Sequence, residues 1–188
     1  PEYRRQRQMC IRDSYYSWTE LEKIKFLTKK IRGKNFINSF QFKDRENLEV
    51  WSTFKALASQ PKECLGAYII SMTSSASDIL SVILLQKEAN IKDKLRVVPL
   101  FETLDDLING SNIMSTLFKL DWYRNLINNE QEIMIGYSDS SKDAGKLCAG
   151  WHQYKLQEEI LVLSKKLKVK LSFFHGRGGS AGRGGGPI

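Results

Sequence analysis

Four residues able to handle an anion or a cation follow closely on apolar runs, and a fifth lies just beyond the last of them. Glu102 ends "VVPLFE", Asp139 follows "IMIGYS", and His175 and Arg177 follow "LSFF". Arg183 lies six positions beyond Arg177 in the glycine-rich stretch "HGRGGSAGRGGG". Glu102 and Asp139 offer hard oxygen donors, and Mg²⁺ typically takes one or two carboxylates, with waters and substrate oxygens completing its shell. The same acids also suit helix caps, since Asp139 precedes Ser-Ser-Lys-Asp and Glu102 precedes Thr-Leu. The pattern alone supports metal and cap equally.

Arginine grips carboxylate or phosphate in a bidentate fork, and glycines let backbone amides approach the same ligand, so Arg177 and Arg183 suit a doubly anionic molecule. The stretch lacks the Lys-Ser/Thr ending of a P-loop, which excludes that nucleotide-binding motif. Its composition also fits an arginine-glycine tail that binds RNA or another polyanion. Against that reading, an apolar strand runs straight into the glycines, and aromatic residues are not interleaved around the two arginines. His175 can orient an anion or move a proton, or it can be a strand-end residue satisfied by a backbone carbonyl. Lys142 is a further anion contact or a solvated helix-start lysine. His152 has no acidic partner at metal spacing and reads as surface or packing.

The elements that must position these residues share one grammar. The runs at 66–78, 95–103, 131–143 and 169–179 are rich in β-formers and end abruptly in polar or glycine residues. Tyr68-Ile69-Ile70 and Ile133-Met134-Ile135 are apolar at consecutive positions, which predicts parallel strands buried on both faces. Between them lie helical patterns. The first has Asp78 as its cap. The second is read as two short helices interrupted at Gly110. The third puts Trp151, Tyr154, Ile160, Leu161 and Leu167 near one face, with lysines gathering at its carboxyl end. Upstream, residues 18–60 read as mostly helical, with Trp18, Leu21, Ile24, Phe26 and Leu27 forming one apolar face. The βαβαβαβ order predicts a parallel α/β sheet, doubly wound or part of a (β/α) barrel, and both bind ligands at the carboxyl ends of the strands. Glu102, Asp139, His175 and Arg177 would then share one rim.

Charge adds little to a nucleic-acid reading. Of the formal +8, residues 1–35 supply +6 from ten Lys/Arg and four Asp/Glu, leaving +2 for the other 153 positions. Residues 1–14 lack apolar periodicity and read as a basic extension outside the fold. Cys10, Cys64 and Cys148 are widely spaced with no CxxC pair, which argues against a disulfide framework or zinc ribbon and for a reducing, cytoplasmic setting. No apolar run approaches the roughly 20 residues that span a bilayer.

Taken together, "FHGRGGSAGRGGGP", "GAYIISMTSSASDILSVILLQKE", "LRVVPLFETLDDL" and "DWYRNLINNEQEIMIGYSDSSKDAG" resemble, in order, the motifs of the phosphoenolpyruvate carboxylase family. The resemblance runs from about residue 15 to Ile188. It implies an α/β fold, a partial (β/α)8 TIM-like barrel rich in helix and truncated at both ends: residues 15–60 mostly helical, residues 61–188 a partial barrel with four parallel strands and a terminal Gly-rich loop. It implies carboxylation of phosphoenolpyruvate by bicarbonate to oxaloacetate and phosphate with Mg²⁺ or Mn²⁺, in a cytoplasmic homotetramer that engages neither nucleic acid nor membrane. By resemblance, Glu102 and Asp139 bind the metal. His175 and Arg177 hold the phosphate-bearing substrate and a carboxyphosphate intermediate, and Arg183 binds substrate and links the site to dicarboxylate feedback inhibition. A proline common in the family is missing from "SSASD". The upstream "TAHPT"-like histidine and the downstream part of the barrel have no counterpart, so the chain by itself is expected to be inactive.

Overall fold

The computed structural model describes residues 15, 17–35 and 44–178. Among them the order is α1 (Glu20–Arg32), α2 (Arg45–Ser59), a 3-10 turn (Lys62–Cys64), β1 (Ala67–Ile70), α3 (Ala76–Glu88), β2 (Arg96–Phe101), α4 (Leu104–Phe118), α5 (Asp121–Leu126), β3 (Glu130–Gly136), α6 (Ser138–Ala144), α7 (Lys146–Leu167) and β4 (Lys170–Gly176). The strands form one sheet in sequence order, β1-β2-β3-β4, with every neighbouring pair parallel. Consecutive parallel neighbours joined by helices are the building plan of a (β/α) barrel, so the structure is an α/β fold consistent with part of one.

The pleat divides the sheet into two unlike faces. Val97, Phe101, Ile133 and Ile135 point to one of them and join Ile79, Leu80, Leu107, Met114, Leu156 and Ile160 of the covering helices in the main core. On the other face Ile69 and Phe174 remain 47% and 50% exposed. Burial of both faces was expected from the consecutive apolar residues; among the described residues, helices cover only one. In a closed barrel the other face is the one whose side chains fill the interior.

Local chemistry sets the helix boundaries. Ser75 is the N-cap of α3, and Asp78, the third residue of the helix, closes a capping box back to the Ser75 amide at 2.9 Å. Asp78 is therefore the box partner and not the cap that the sequence suggested. Likewise Thr103 caps α4, with Asp106 accepting from the Thr103 amide at 3.0 Å.

Helix α4 also passes unbroken through Gly110, where a break was expected. A Cβ at Gly110 would meet Leu156 Cδ1 at 2.8 Å and the Phe101 ring at 3.2 Å. The glycine lets α4 lie close to α7 and β2, and the chain turns later, at Lys119 and Leu120.

In α7 the buried positions are Ala149, Gln153, Leu156, Ile160 and Ser164, spaced by four and three. Trp151, Tyr154 and Leu161, expected on the buried face, are exposed. The small and polar residues won because α7 packs tightly against α4 and α6, where a tryptophan has no room and Gln153 can donate to Gly136 O at 3.1 Å and Ser140 Oγ at 2.8 Å.

The upstream helices belong to the same structure. Ile24, Leu27 and Ile31 of α1 enter the main core, while Leu21 stays exposed and Trp18 packs edge-on against Phe26 at 5.3 Å. The Glu20 carboxylate accepts from the Ser77 amide at 2.7 Å and its hydroxyl at 2.9 Å, tying α1 to the start of α3.

Below the sheet, Tyr123 is fully buried and donates to Gln131 Oε1 at 2.7 Å, and burial pushes its hydroxyl pKa far above the usual tyrosine value. Gln131 Nε2 in turn donates to Val97 O at 3.0 Å. Tyr123→Phe strands a buried amide oxygen, so it is expected to cost about 1–3 kcal/mol. Urea titration of the two proteins, with unchanged slope, is the measurement that checks it.

Candidate functional site

The four sequence-predicted residues that fall within the described range lie at the carboxyl rim. Glu102 follows the last residue of β2, Asp139 lies three residues past the end of β3, His175 is the penultimate residue of β4, and Arg177 follows it. Phe101 pairs with Ile135 and Ile135 with His175, so β2, β3 and β4 end level with one another. Parallel pairing of three strands therefore brings together groups some three dozen residues apart in the chain. Arg183 lies outside the described residues.

Glu102 is held from two sides. Its Oε1 accepts the Met72 amide at 2.9 Å, and Met72 adopts a left-handed backbone conformation (φ 50°) in the turn after β1. On the other side Gly136 is packed so closely that a Cβ there would stand 2.7 Å from Glu102 Cβ and 3.1 Å from its Cα. Glu102 does not cap α4; Thr103 and Asp106 perform that task. Fixing the carboxylate on the Met72 amide costs side-chain entropy.

Asp139 sits in the first turn of α6, where a negative charge complements the helix dipole. Its Oδ1 accepts from Lys142 Nζ at 2.7 Å, so Lys142 is here an acid's partner. Both side chains are more than half exposed, at 51% and 56%, and such pairs contribute only about 0–1 kcal/mol. A cation approaching Asp139 would displace Lys142 at little cost.

His175 and Arg177 meet at a residue that the sequence reading passed over. Tyr137, the residue before α6, has its hydroxyl oxygen 2.9 Å from His175 Nδ1, and the guanidinium of Arg177 lies over the Tyr137 ring, 5.2 Å from its centroid. His175 is thus partnered by a phenol and not by the backbone carbonyl of the simpler reading. The available signal was Tyr137's position, first after the β3 run and two before Asp139.

No group of three or more His, Cys, Asp or Glu gathers at metal-binding distance among the described residues. A cavity of about 240 Å³ lies at the opposite end of the strands, lined by Arg96, Tyr123 and Glu130 among others, and is not part of the rim. Among the described residues no helix is long and apolar enough to cross a membrane.

Four parallel strands joined through helices place the chain in the α/β class, consistent with part of a parallel α/β barrel, with two carboxylates, a histidine and an arginine at the ends of three adjacent strands. The family model for phosphoenolpyruvate carboxylase matches residues 5–188, beginning inside the basic stretch set aside above. The chain belongs to the phosphoenolpyruvate carboxylase family. Phosphoenolpyruvate carboxylase of Shewanella sediminis is 51% identical over 174 residues, covering 92% of this chain and 20% of that protein. Phosphoenolpyruvate carboxylase 3 of Arabidopsis thaliana is 49% identical over 182 residues, 96% of this chain and 19% of its own length. The enzyme of Flaveria pringlei is 52% identical over 175 residues, 93% and 18% respectively. The chain thus spans about a fifth of the length of these curated relatives.

Proposed function

We propose that this chain supplies the metal-binding carboxylates and one anion-binding corner of a phosphoenolpyruvate carboxylase, an enzyme that joins phosphoenolpyruvate and bicarbonate to give oxaloacetate and phosphate. The observation that carries the reading is the convergence of Glu102, Asp139, His175 and Arg177 on three adjacent strand ends in a chain of this family.

The donor set fits a single Mg²⁺ or Mn²⁺. Both groups are hard oxygen donors, one is pre-oriented by the Met72 amide, and the other pairs with an exposed lysine. Two protein carboxylates with waters and substrate oxygens are the usual environment of Mg²⁺. Glu102 and Asp139 would hold the ion, and its charge would supply neutralisation at the substrate's enol oxygen.

The chain's own residues manage the remaining charge. Arg177 forks the phosphoryl oxygens, first on phosphoenolpyruvate and then, after a bicarbonate oxygen has attacked phosphorus and the enol C–O–P link has broken, on carboxyphosphate. His175 donates a hydrogen bond to the same group. The C–O bond of carboxyphosphate then breaks, its carboxyl proton passing to the departing phosphate, and C3 of the enolate bonds to the carbon dioxide released, giving oxaloacetate and inorganic phosphate. Arg183 would bind substrate and link the site to dicarboxylate inhibition. The working enzyme is a cytoplasmic homotetramer, and the remaining groups come from parts of it that this chain does not include.

The test is a chimera in which this chain replaces the matched fifth of the Shewanella sediminis enzyme. Oxaloacetate formation that needs phosphoenolpyruvate, bicarbonate and a divalent metal is the expected result, together with no activity from the 188-residue chain alone. A chimera that folds with the parent's melting temperature yet forms no oxaloacetate would overturn the proposal.

A further inference from the structure

Tyr137 is partly buried against the main core and contacts both proposed anion-binding groups at once, and its place before α6 makes no demand for a hydroxyl. It stands at the N-cap position of α6 without making a side-chain capping bond, in ordinary helical backbone conformation (φ −103°, ψ −44°). Its hydroxyl oxygen lies 2.9 Å from His175 Nδ1. Its ring stands edge-on to the imidazole, centroids 5.8 Å apart at 61°, and carries the Arg177 guanidinium at 5.2 Å.

We infer that Tyr137 is a positioning residue for the anion site, its hydroxyl fixing the tautomer of His175 and its ring fixing the plane of Arg177. The inference rests on the function proposed above. A neutral imidazole has one donor and one acceptor nitrogen. An anion offers only lone pairs, so the nitrogen facing it must carry the hydrogen. Nδ1 is taken by the phenol, which leaves Nε2 for the anion. Nδ1 must then accept and the Tyr137 hydroxyl must donate. In the opposite arrangement a lone pair on Nε2 would face a phosphoryl oxygen and repel it. The same logic governs metal-bound histidines, whose second nitrogen is set by an outer partner.

The ring has a separate task. A guanidinium resting on an aromatic face keeps its in-plane N–H groups free for the bidentate grip, and the contact limits the freedom of a long, exposed side chain.

Two substitutions in the active chimera separate the tasks. Tyr137→Phe keeps the ring and loses the hydroxyl, so kcat is expected to fall about 10- to 100-fold, as for other outer partners of a functional histidine, with KM for phosphoenolpyruvate nearly unchanged. Tyr137→Leu loses both and is expected to add a rise in KM of about two- to fivefold, matching an exposed cation–π contact. A merely structural role would lower the melting temperature of both variants and would not divide kcat from KM in this way.

A second measurement is independent of catalysis. The 188-residue chain has two histidines, so nitrogen-15 NMR of labelled histidine yields two ring pairs, and His175→Gln assigns them. At a pH of about 8.5, where free imidazole is neutral, His175 should show an unprotonated Nδ1, and Tyr137→Phe should shift the ring toward a mixture of tautomers. Identical His175 spectra in the two proteins would overturn the inference. So would an active chimera indifferent to Tyr137→Phe, with the function proposed above left standing. A folded chimera that is inactive before any Tyr137 substitution would overturn that function and the catalytic role of Tyr137 with it.

Discussion

Glu102→Gln in the active chimera is expected to lower kcat/KM by at least about 100-fold and to weaken Mn²⁺ binding in parallel, with the melting temperature little changed. Disturbing even an outer partner of a metal ligand commonly costs 10- to 100-fold, and this substitution removes a proposed ligand's charge outright. Glutamine keeps the shape of the side chain and a carbonyl oxygen for the Met72 amide, so the support seen at 2.9 Å can survive. Stability should be insensitive for a second reason: α4 is capped by Thr103 and Asp106, and Glu102 contributes only its backbone amide, which donates to Asp106 at 3.3 Å and is kept in the variant. The matching change Asp139→Asn should give a loss of similar size. It also removes an exposed ion pair with Lys142 whose stabilising effect is about 0–1 kcal/mol, so no large stability change should accompany it. Electron paramagnetic resonance titration with Mn²⁺ and steady-state kinetics on the same samples check both. A drop in melting temperature with unaltered metal affinity and rate would mean that the two acids serve the fold, and the metal reading would fail.

The rim was legible in the sequence because the rule behind it is topological. Once four buried β-runs alternate with helices, parallel pairing follows, and whatever terminates each run must meet at one edge. That argument needs no knowledge of packing, and Glu102, Asp139, His175 and Arg177 satisfy it. Packing and partner choice were less legible. Gly110 looked like a helix breaker because glycine lowers helix propensity, but a closer effect governs it: Leu156 and Phe101 occupy the space that a side chain would need. Trp151 and Tyr154 looked like core because they are large and apolar. Yet the face of α7 that meets α4 and α6 selects Ala149, Gln153 and Ser164, and a one-dimensional pattern gives no warning that a buried face prefers small and hydrogen-bonding residues.

Partners of the site residues were the hardest to read. Tyr137 touches His175 across 38 positions of sequence, and Met72 supplies an amide to Glu102 across 30. Neither contact leaves a mark in local composition. A side chain chosen for what lies beside it on the next strand can be inferred only when register is known, and here register runs Ile135 to His175 and Gly136 to Gly176. Lys142 is a different case: the sequence offered it as an anion contact, and it pairs with Asp139 three residues away on the same helix, a partner that local spacing could have named.

Register also explains why Gly136 is the position at which a single methyl group should do the most harm. It closes β3 beside the end of β2, and an added Cβ would stand 2.7 Å from Glu102 Cβ and 3.1 Å from Glu102 Cα. A flexible side-chain tip could move aside, but a Cα cannot move without carrying its strand. Gly136→Ala is therefore expected to cost about 1–3 kcal/mol through overpacking, against which a stiffer unfolded chain returns about 0.4–1 kcal/mol. Strand β2 can relieve the contact only by shifting Glu102 relative to Asp139, and a displacement on the order of 1 Å at reacting groups can lower the rate about 100-fold. The expected signature in the chimera is thus a modest fall in melting temperature with a disproportionate loss of kcat and of Mn²⁺ affinity. Gly150→Ala is the control. It lies in α7 with nothing within 4 Å of the new Cβ, so improved helix propensity should raise stability by up to about 1 kcal/mol and leave the rate alone. If Gly136→Ala instead lowers stability while metal affinity and rate stay at their original values, the close approach of β2 and β3 serves packing only, and Glu102 is held by the Met72 amide without help from Gly136.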